Sequence, residues 1–420
     1  MTQLTPAQTK RGMVVSVVEG SIWAFWFNLI ANNFMTGYLL HLGASNQQIG
    51  LLAALGPLST LFMLVGSYVL GFLSRRMPYL MGMVIGHRLL WTIGGFVPLF
   101  LPRSAWVWTY LGLYFSAGLC NAVAALAWQT IMADLVPADV RGRYFGMRSA
   151  WVQTFSILAT LAGGWYLDRH PGQAGWTAVY AAAMAFAIIN MISLLFYVEP
   201  PYMRRKPESP FRHLLLPFRS RSFSVVVIFA AALALVSSMV GPFYGVTMIK
   251  TLKLNYGLIA QLSAASTVAG ITAAALLGRM LDRVGEHRII GLLPLGSLIQ
   301  PLLWLVIRPN SYILLFLVHI LGGVVGTLQG ITITNLTYRM SPRADRAVYL
   351  AVFFAVSGIG GTVAPILGGW VFTGLGLPAL LGLTAAGFAL LVGLWWAWGY
   401  RGVLPGMKVN EEESSDATAS

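Results

Sequence analysis

Cysteine occurs once in 420 residues, at Cys120, and acidic side chains number only 13. A single thiol excludes a disulfide framework and any cysteine-based metal cluster. Charged residues of both signs make up 10% of the chain, against about 25% in a soluble domain. The sequence holds no Gly-Lys-Ser/Thr phosphate loop, no His-x-x-x-His pair and no catalytic constellation. An enzyme is therefore not expected, nor is a cofactor or a metal. The alternation that marks barrel strands is missing too, which leaves helices as the only spanning option.

What is present is apolar surface. Hydrophobic residues make up 57% of the chain, more than one water-soluble core can hide. Gly, at 45 residues, is plentiful, as suits membrane helices whose backbones approach closely. A helix needs about 20 apolar residues to cross roughly 30 Å of hydrocarbon. Twelve stretches meet that need: 12–40, 46–73, 79–101, 105–132, 144–167, 175–198, 222–247, 257–280, 287–307, 311–338, 346–373 and 378–400. The expected fold is an all-α membrane protein of two six-helix bundles, 1–198 and 222–400. A basic, Pro-broken linker over 199–221 joins them, and a tail over 401–420 reads as disordered. No cleavable signal peptide is visible, because the apolar run after Lys10-Arg11 is too long for one.

Lys and Arg decide orientation. Of the 27, loops on the side of the termini hold 21, with Arg141, Arg143 and Arg148 counted at the start of the fifth span. The opposite loops hold five: Arg103, Arg169, Lys250, Lys253 and Arg308. The remaining one, Arg88, sits inside a span. Both termini are expected in the cytoplasm of a multi-pass protein of the plasma or inner membrane. The net charge of +14 is then a topology signal and not a nucleic-acid footprint.

The halves repeat. Pro137, Arg141 and Gly163-Gly164-Trp165 recur as Pro342, Arg346 and Gly368-Gly369-Trp370, each displaced by 205 residues. Such duplication marks a transporter built from two related halves. With these features goes Gly278-x-x-x-Asp282-Arg283-x-Gly285-x-x-Arg288 between the eighth and ninth spans. Over its whole length the chain resembles the major facilitator superfamily, whose short cytoplasmic loop motif this run is similar to. The resemblance implies twelve helices, alternating access by rocking of the halves, and a conformational latch at Gly278, Asp282, Arg283, Gly285 and Arg288. By pseudo-symmetry the latch would meet the start of the fifth span near Arg143 and Arg148, with Arg141 and Arg346 as the paired repeat positions. The departures are plain. Arg75 stands where the first-half loop would carry its acid. The Gly- and Pro-rich pattern of drug/proton antiporters is fuller in Gly360-x-x-x-Ala364-Pro365-x-x-Gly368-Gly369 than in the fifth span, which lacks its Pro.

Only Glu19 among the acids and Arg88 among the bases lie well inside a span, and an ionisable group in hydrocarbon needs a partner, water or a task. Glu19 is seven residues into the first span, about 10 Å, and Arg88 nine residues into the third, about 13 Å. A direct pair fits those depths. It would serve as a proton or substrate site, because making and breaking it changes how firmly Glu19 holds a proton. Equally it would serve as a static ion pair, with Asp134 sharing Arg88.

Glu19, Trp23, Trp26, Ile30 and Asn33 fall on one helical face. Tyr114, Gly118, Asn121, Ala125 and Trp128 form a second such stripe, and a displacement of 205 carries it onto His319, Gly323, Gly326, Gly330 and Ile333. The resemblance implies that these helices line a central cavity. Aromatics with a few amides suit a small, semi-polar organic solute. Helix packing alone explains any one of these aromatics, and a lone histidine filling a glycine groove explains His319. The reading is a secondary or facilitative transporter, monomeric in the lipid bilayer, with protons as a coupling partner through Glu19. Drug efflux and nutrient uptake are not separated by these residues. A transporter-like sensor and a lipid flippase are the alternatives of another class.

Overall fold

The computed structural model describes residues 4–137, 139–201, 216–284, 286–341 and 346–399. Among them every regular element is helical. The principal helices are α1 (Pro6–Ile30), α2 (Asn32–His41), α3 (Asn46–Thr60), α4 (Met63–Phe72), α5 (Met77–Ile93), α6 (Trp106–Leu135), α7 (Arg141–Arg169), α8 (Gln173–Ser193), α9 (Arg221–Val246), α10 (Tyr256–Val284), α11 (Glu286–Val306), α12 (Tyr312–Arg339) and α13 (Arg346–Leu394).

These elements agree with the twelve expected spans once three local effects are taken in. First, α1 opens with a capping box, the Thr5 hydroxyl accepting from the Gln8 amide and the Gln8 side chain accepting from the Thr5 amide, with Pro6 in the first turn. It then breaks at Ala31, because Asn32 takes a left-handed φ of 55° before α2 resumes. Second, α3 and α4 are one span interrupted just beyond Pro57, which removes a helical donor. Third, α13 is two helices joined at Gly376, whose φ of 81° only a residue without a β-carbon adopts readily. Nine helical stretches among the described residues are long and apolar enough to cross a membrane. Helix α7 is not among them: Ser149, Gln153, Thr154, Ser156 and Thr160 dilute the uncharged run between Arg148 and Asp168.

Packing divides the chain into two units, Met1–Ser45, Ser59–Glu208 and Leu254–Ala264 in one, Asn46–Leu58, Ser209–Lys253 and Ala265–Ser420 in the other. Two short segments, 46–58 and 254–264, pack with the unit otherwise built from the other side of residue 208. Residues 202–215 of the expected linker and 400–420 at the C-terminus lie outside the described residues.

In the first unit α1 packs against α7 and α8, and α5 against α6. Its core gathers Leu80, Val84, Ala127, Ile131, Leu135 and Leu194. At the end nearest the chain terminus Arg76, only 1% exposed, donates to Asp134 at 2.6 Å. Glu199 accepts from the amides of Arg76 and Met77, where the dipole of α5 favours an anion, and lies 3.6 Å from Arg75. The acid missing from the loop at Arg75 is thus matched by a carboxylate from elsewhere in the chain, and Asp134 is taken by Arg76 and not by Arg88.

At the opposite end Asp168 caps a helix that belongs to another part of the sequence. Its two oxygens accept from the amides of Tyr256 at 2.7 Å and Gly257 at 2.8 Å, at the start of α10. The approach depends on missing side chains. A β-carbon on Gly257 would lie 2.5 Å from Asp168 Oδ2, and one on Gly164 would lie 2.6 Å from the Tyr256 carbonyl.

The second unit has its own core of Phe223, Leu233, Ile290, Leu336 and Tyr349 on α9, α11, α12 and α13, with Trp395 just beyond α13. Segment 46–58 belongs here, with Gly50 against the backbone of Pro365 and Gly361 against Pro57.

Candidate functional site

Within the first unit, α1, α5, α6 and α7 enclose a cavity of about 280 Å³. Its lining brings together Glu19, Trp23, Arg88, Asn121, Trp128 and Arg148. Five of these six stand out in the sequence; Arg148 does not stand out as a cavity residue. It lies seven residues into α7, about 10 Å along the helix, inside the span and not in the loop.

The charges are arranged through neutral groups. Glu19 is 6% exposed. Its Oε1 accepts from Asn190 Nδ2 at 3.0 Å and its Oε2 from the Tyr197 hydroxyl at 3.3 Å. Arg148 stands 3.8 Å from Oε2, a loose ion pair. The Arg148 Nε donates to both the carbonyl and the hydroxyl of Ser16 at 3.2 Å, and its guanidinium lies over the Trp128 ring at 4.6 Å. Gly20 clears the path, since a β-carbon there would collide with the guanidinium.

Arg88 is 4% exposed and does not meet Glu19 directly. Asn190 comes between them. Its amide nitrogen serves Glu19, and its oxygen accepts from Arg88 Nε at 3.1 Å. His87 Nδ1 accepts from the other side of the Arg88 guanidinium, which lies 4.4 Å from the Trp26 ring. Among the described residues no carboxylate forms an ion pair with Arg88. Matched depth alone does not make a pair; rotation about each helix axis aims the two groups past each other, and an amide fills the interval. The signal for Asn190 was present, as the only amide in α8 after Gln173.

The other sequence candidates are dispersed. Trp26 is fully buried against α5, donating to Thr92 at 2.9 Å, and does not line the cavity. The break at Ala31 takes Asn33 off the face of Glu19, and its amide donates to Ser263 at 3.2 Å. Tyr114 packs edge-on to Trp91. In the second unit His319 Nδ1 bonds to the Leu315 carbonyl of its own helix at 2.8 Å, with Trp304 beside the ring. Arg141 turns back to the carbonyls of Ala133 and Val136. Arg288 is exposed. Gly285, the surroundings of Gly278 and the side chains of Asp282, Arg283 and Arg346 lie outside the described residues.

A net single positive charge remains in the cavity: two guanidinium groups and one carboxylate, walled by two indoles. The arrangement can hold a planar anion, with charge-assisted hydrogen bonds from the arginines and stacking area from Trp23 and Trp128.

Comparison with known proteins adds the following. The family model described as Major Facilitator Superfamily matches residues 20–240 and 226–415. A cis,cis-muconate transport protein of Acinetobacter baylyi is 24% identical over 320 residues, covering 72% of each chain. Among solved structures, the nucleoside transporter NupG superposes with a TM-score of 0.70 at 14% identity, covering 93% of this chain and 98% of that one. A D-xylose-proton symporter gives 0.71 at 15% identity over 94% and 99%. A bacterial homolog of the human lysosomal transporter Spinster gives 0.63 at 18% identity over 97% of both chains.

Proposed function

The chain belongs to the major facilitator superfamily, a family of transporters of small solutes, and from that premise we propose that its solute is a small organic anion carrying a carboxylate on a flat, conjugated body. The observation that carries this is Arg88. A buried guanidinium held only by neutral acceptors is costly unless a ligand completes it. The relative that transports cis,cis-muconate, a conjugated dicarboxylate, supports the same class.

Coupling follows from charge. One carboxylate bound between Arg88 and Arg148 neutralises the net positive charge of the cavity. A second carboxylate leaves it negative by one, and a proton on Glu19 restores balance. The substrate would also draw Arg148 from Glu19. Proton and anion would then move in the same direction, as alternating access exposes the site to each side in turn. The reading places the protein in the plasma or inner membrane with both termini cytoplasmic, on the strength of the loop charges.

Two experiments test this. Purified protein is heated in the presence of conjugated mono- and dicarboxylates, nucleosides, neutral sugars and cationic amphiphiles. A ligand at about 100 times its dissociation constant stabilises the native state by roughly 2.7 kcal/mol, so carboxylates should raise the unfolding temperature and the other classes should not. Stabilisation confined to nucleosides or cations would sink the anion reading. For orientation, a reporter active only outside the cytoplasm, fused to the C-terminus, should stay silent. A strong signal would invert the topology.

A further inference from the structure

Helix α8 turns a face of small residues toward α1 and α5. Ala183, Ala187 and Asn190 fall at helical spacings of 4 and 3, and each is fully buried. Both α1 and α5 pack against this helix, so its one interior amide is set between Glu19 of the first and Arg88 of the second. Every polar atom of that amide is used. Nδ2 donates to Glu19 Oε1 and to the Glu19 main-chain carbonyl, each at 3.0 Å, and Oδ1 accepts from Arg88 Nε at 3.1 Å. A guanidinium only donates and a carboxylate only accepts, so one orientation of the amide serves both.

Other side chains at this place would change what Arg88 can do. An aspartate would give the guanidinium a carboxylate of its own and set a second oxygen against Glu19 Oε1. A leucine would fill the interval and satisfy neither charge. An alanine would leave the interval open, and Glu19 and Arg88 would be free to close on each other. A guanidinium already compensated by a carboxylate of the protein gains little from a carboxylate of the solute. With the Asn190 amide on one side and His87 Nδ1 on the other, Arg88 is hydrogen-bonded and aimed while its charge stays uncompensated. Arg148 differs, because it already stands 3.8 Å from Glu19 Oε2.

We propose that Asn190 determines the specificity of the cavity for anions: it parts Glu19 from Arg88 and so keeps the guanidinium open to a carboxylate of the solute. It is a positioning residue and acts through Arg88. The inference rests on the reading of the solute as an organic anion, and supplies the reason that the protein's own carboxylate does not take the anion's place.

The test exchanges the two groups in full-length purified protein, with benzoate as the probe. Glu19→Gln combined with Asn190→Asp keeps the size of both side chains and the net charge of the cavity, but moves the carboxylate from α1 to α8 and onto Arg88. The new glutamine amide can donate to the second aspartate oxygen, which favours a folded protein. Benzoate affinity should fall by roughly 30-fold or more relative to Glu19→Gln alone. Unfolding reads the same event without a ligand. Arg88→Gln, tolerated in the wild-type background, should lower the unfolding temperature of the exchanged protein by roughly 5 °C or more, because it strands the aspartate. A second route does not need the exchanged protein to fold. Asn190→Ala should weaken benzoate binding by letting Glu19 reach Arg88, and adding Glu19→Gln should restore it; a residue that only packs would not be rescued in this way. The proposal is overturned if the exchanged protein binds benzoate as Glu19→Gln does, if Arg88→Gln costs the same stability in both backgrounds, or if Glu19→Gln fails to rescue Asn190→Ala. A wild-type protein that binds no carboxylate would sink the substrate reading, whereas the unfolding comparison decides by itself whether Asn190 parts the two charges.

Discussion

Arg88→Gln is expected to weaken carboxylate binding by roughly 30- to 5,000-fold, the equivalent of the 2–5 kcal/mol lost when one partner of a buried, hydrogen-bonded charge pair is truncated. The protein should keep its fold. Among the described residues the partners of Arg88 are neutral, Asn190 Oδ1 and His87 Nδ1, together with the face of Trp26. Removing its charge relieves a desolvation cost instead of stranding an opposite charge. A loss of affinity with stability preserved is the signature of a residue kept for its ligand. Arg88→Lys should fall between, because the charge remains but the planar fork is lost. Equilibrium binding of a conjugated dicarboxylate, measured beside the unfolding temperature, separates these outcomes. Wild-type affinity in Arg88→Gln would remove Arg88 from the substrate's surroundings.

Glu19→Gln has the second large effect. If Glu19 carries the coupling proton, the variant should fold, bind substrate and exchange it across vesicle membranes, yet fail to accumulate it against a gradient. The geometry favours a folded variant, because a glutamine oxygen still accepts from Asn190 Nδ2 where Glu19 Oε1 does now. If Glu19 is instead one side of a static pair, its loss leaves Arg148 without its carboxylate, a change of about 3–5 kcal/mol in a buried setting. Adding Arg148→Gln should then restore much of the stability. Arg148 is the partner to remove, since it and not Arg88 stands 3.8 Å from the carboxylate. Exchange and accumulation are measured separately in the same vesicles. Accumulation at the wild-type level would detach coupling from Glu19.

Much of the fold was legible because hydrocarbon leaves so few options. Every backbone donor must be satisfied within its own segment, so a run of apolar residues of the right length is a helix whatever its neighbours do. The breaks were less legible. Nothing in the composition of 12–40 announces that Asn32 turns left-handed and carries Asn33 off the face of Glu19. Glu19 and Arg88 were conspicuous as the ionisable residues deep in their spans, whereas their arrangement was not, because depth is read along a helix and contact depends on its rotation. Asn190 looked like one amide among alanines. Arg148 looked like a topology charge, since a helix beginning with Arg141 and Arg143 hides how far into the membrane its third arginine reaches. Trp26 shows the limit of a stripe argument: the face it shares with Glu19 is wide enough to serve both a cavity and a packed core.

The exchange of segments 46–58 and 254–264 has a consequence for how the chain is made. Synthesis runs from the N-terminus, and when residue 208 has emerged the first unit still lacks its last piece. Asp168 then has no amides of Tyr256 and Gly257 to receive, and the notch at Gly164 stands empty. Residues 46–58 meanwhile wait for a partner around Pro365, more than three hundred positions downstream. No prefix that ends at the 199–221 linker completes either unit. The first closes only when Ala264 has been delivered, and the second only near the end of translation. A gene cut at the 199–221 linker would thus yield two products, each missing a part that the other encodes, and assembly of the whole would be the step that finishes both.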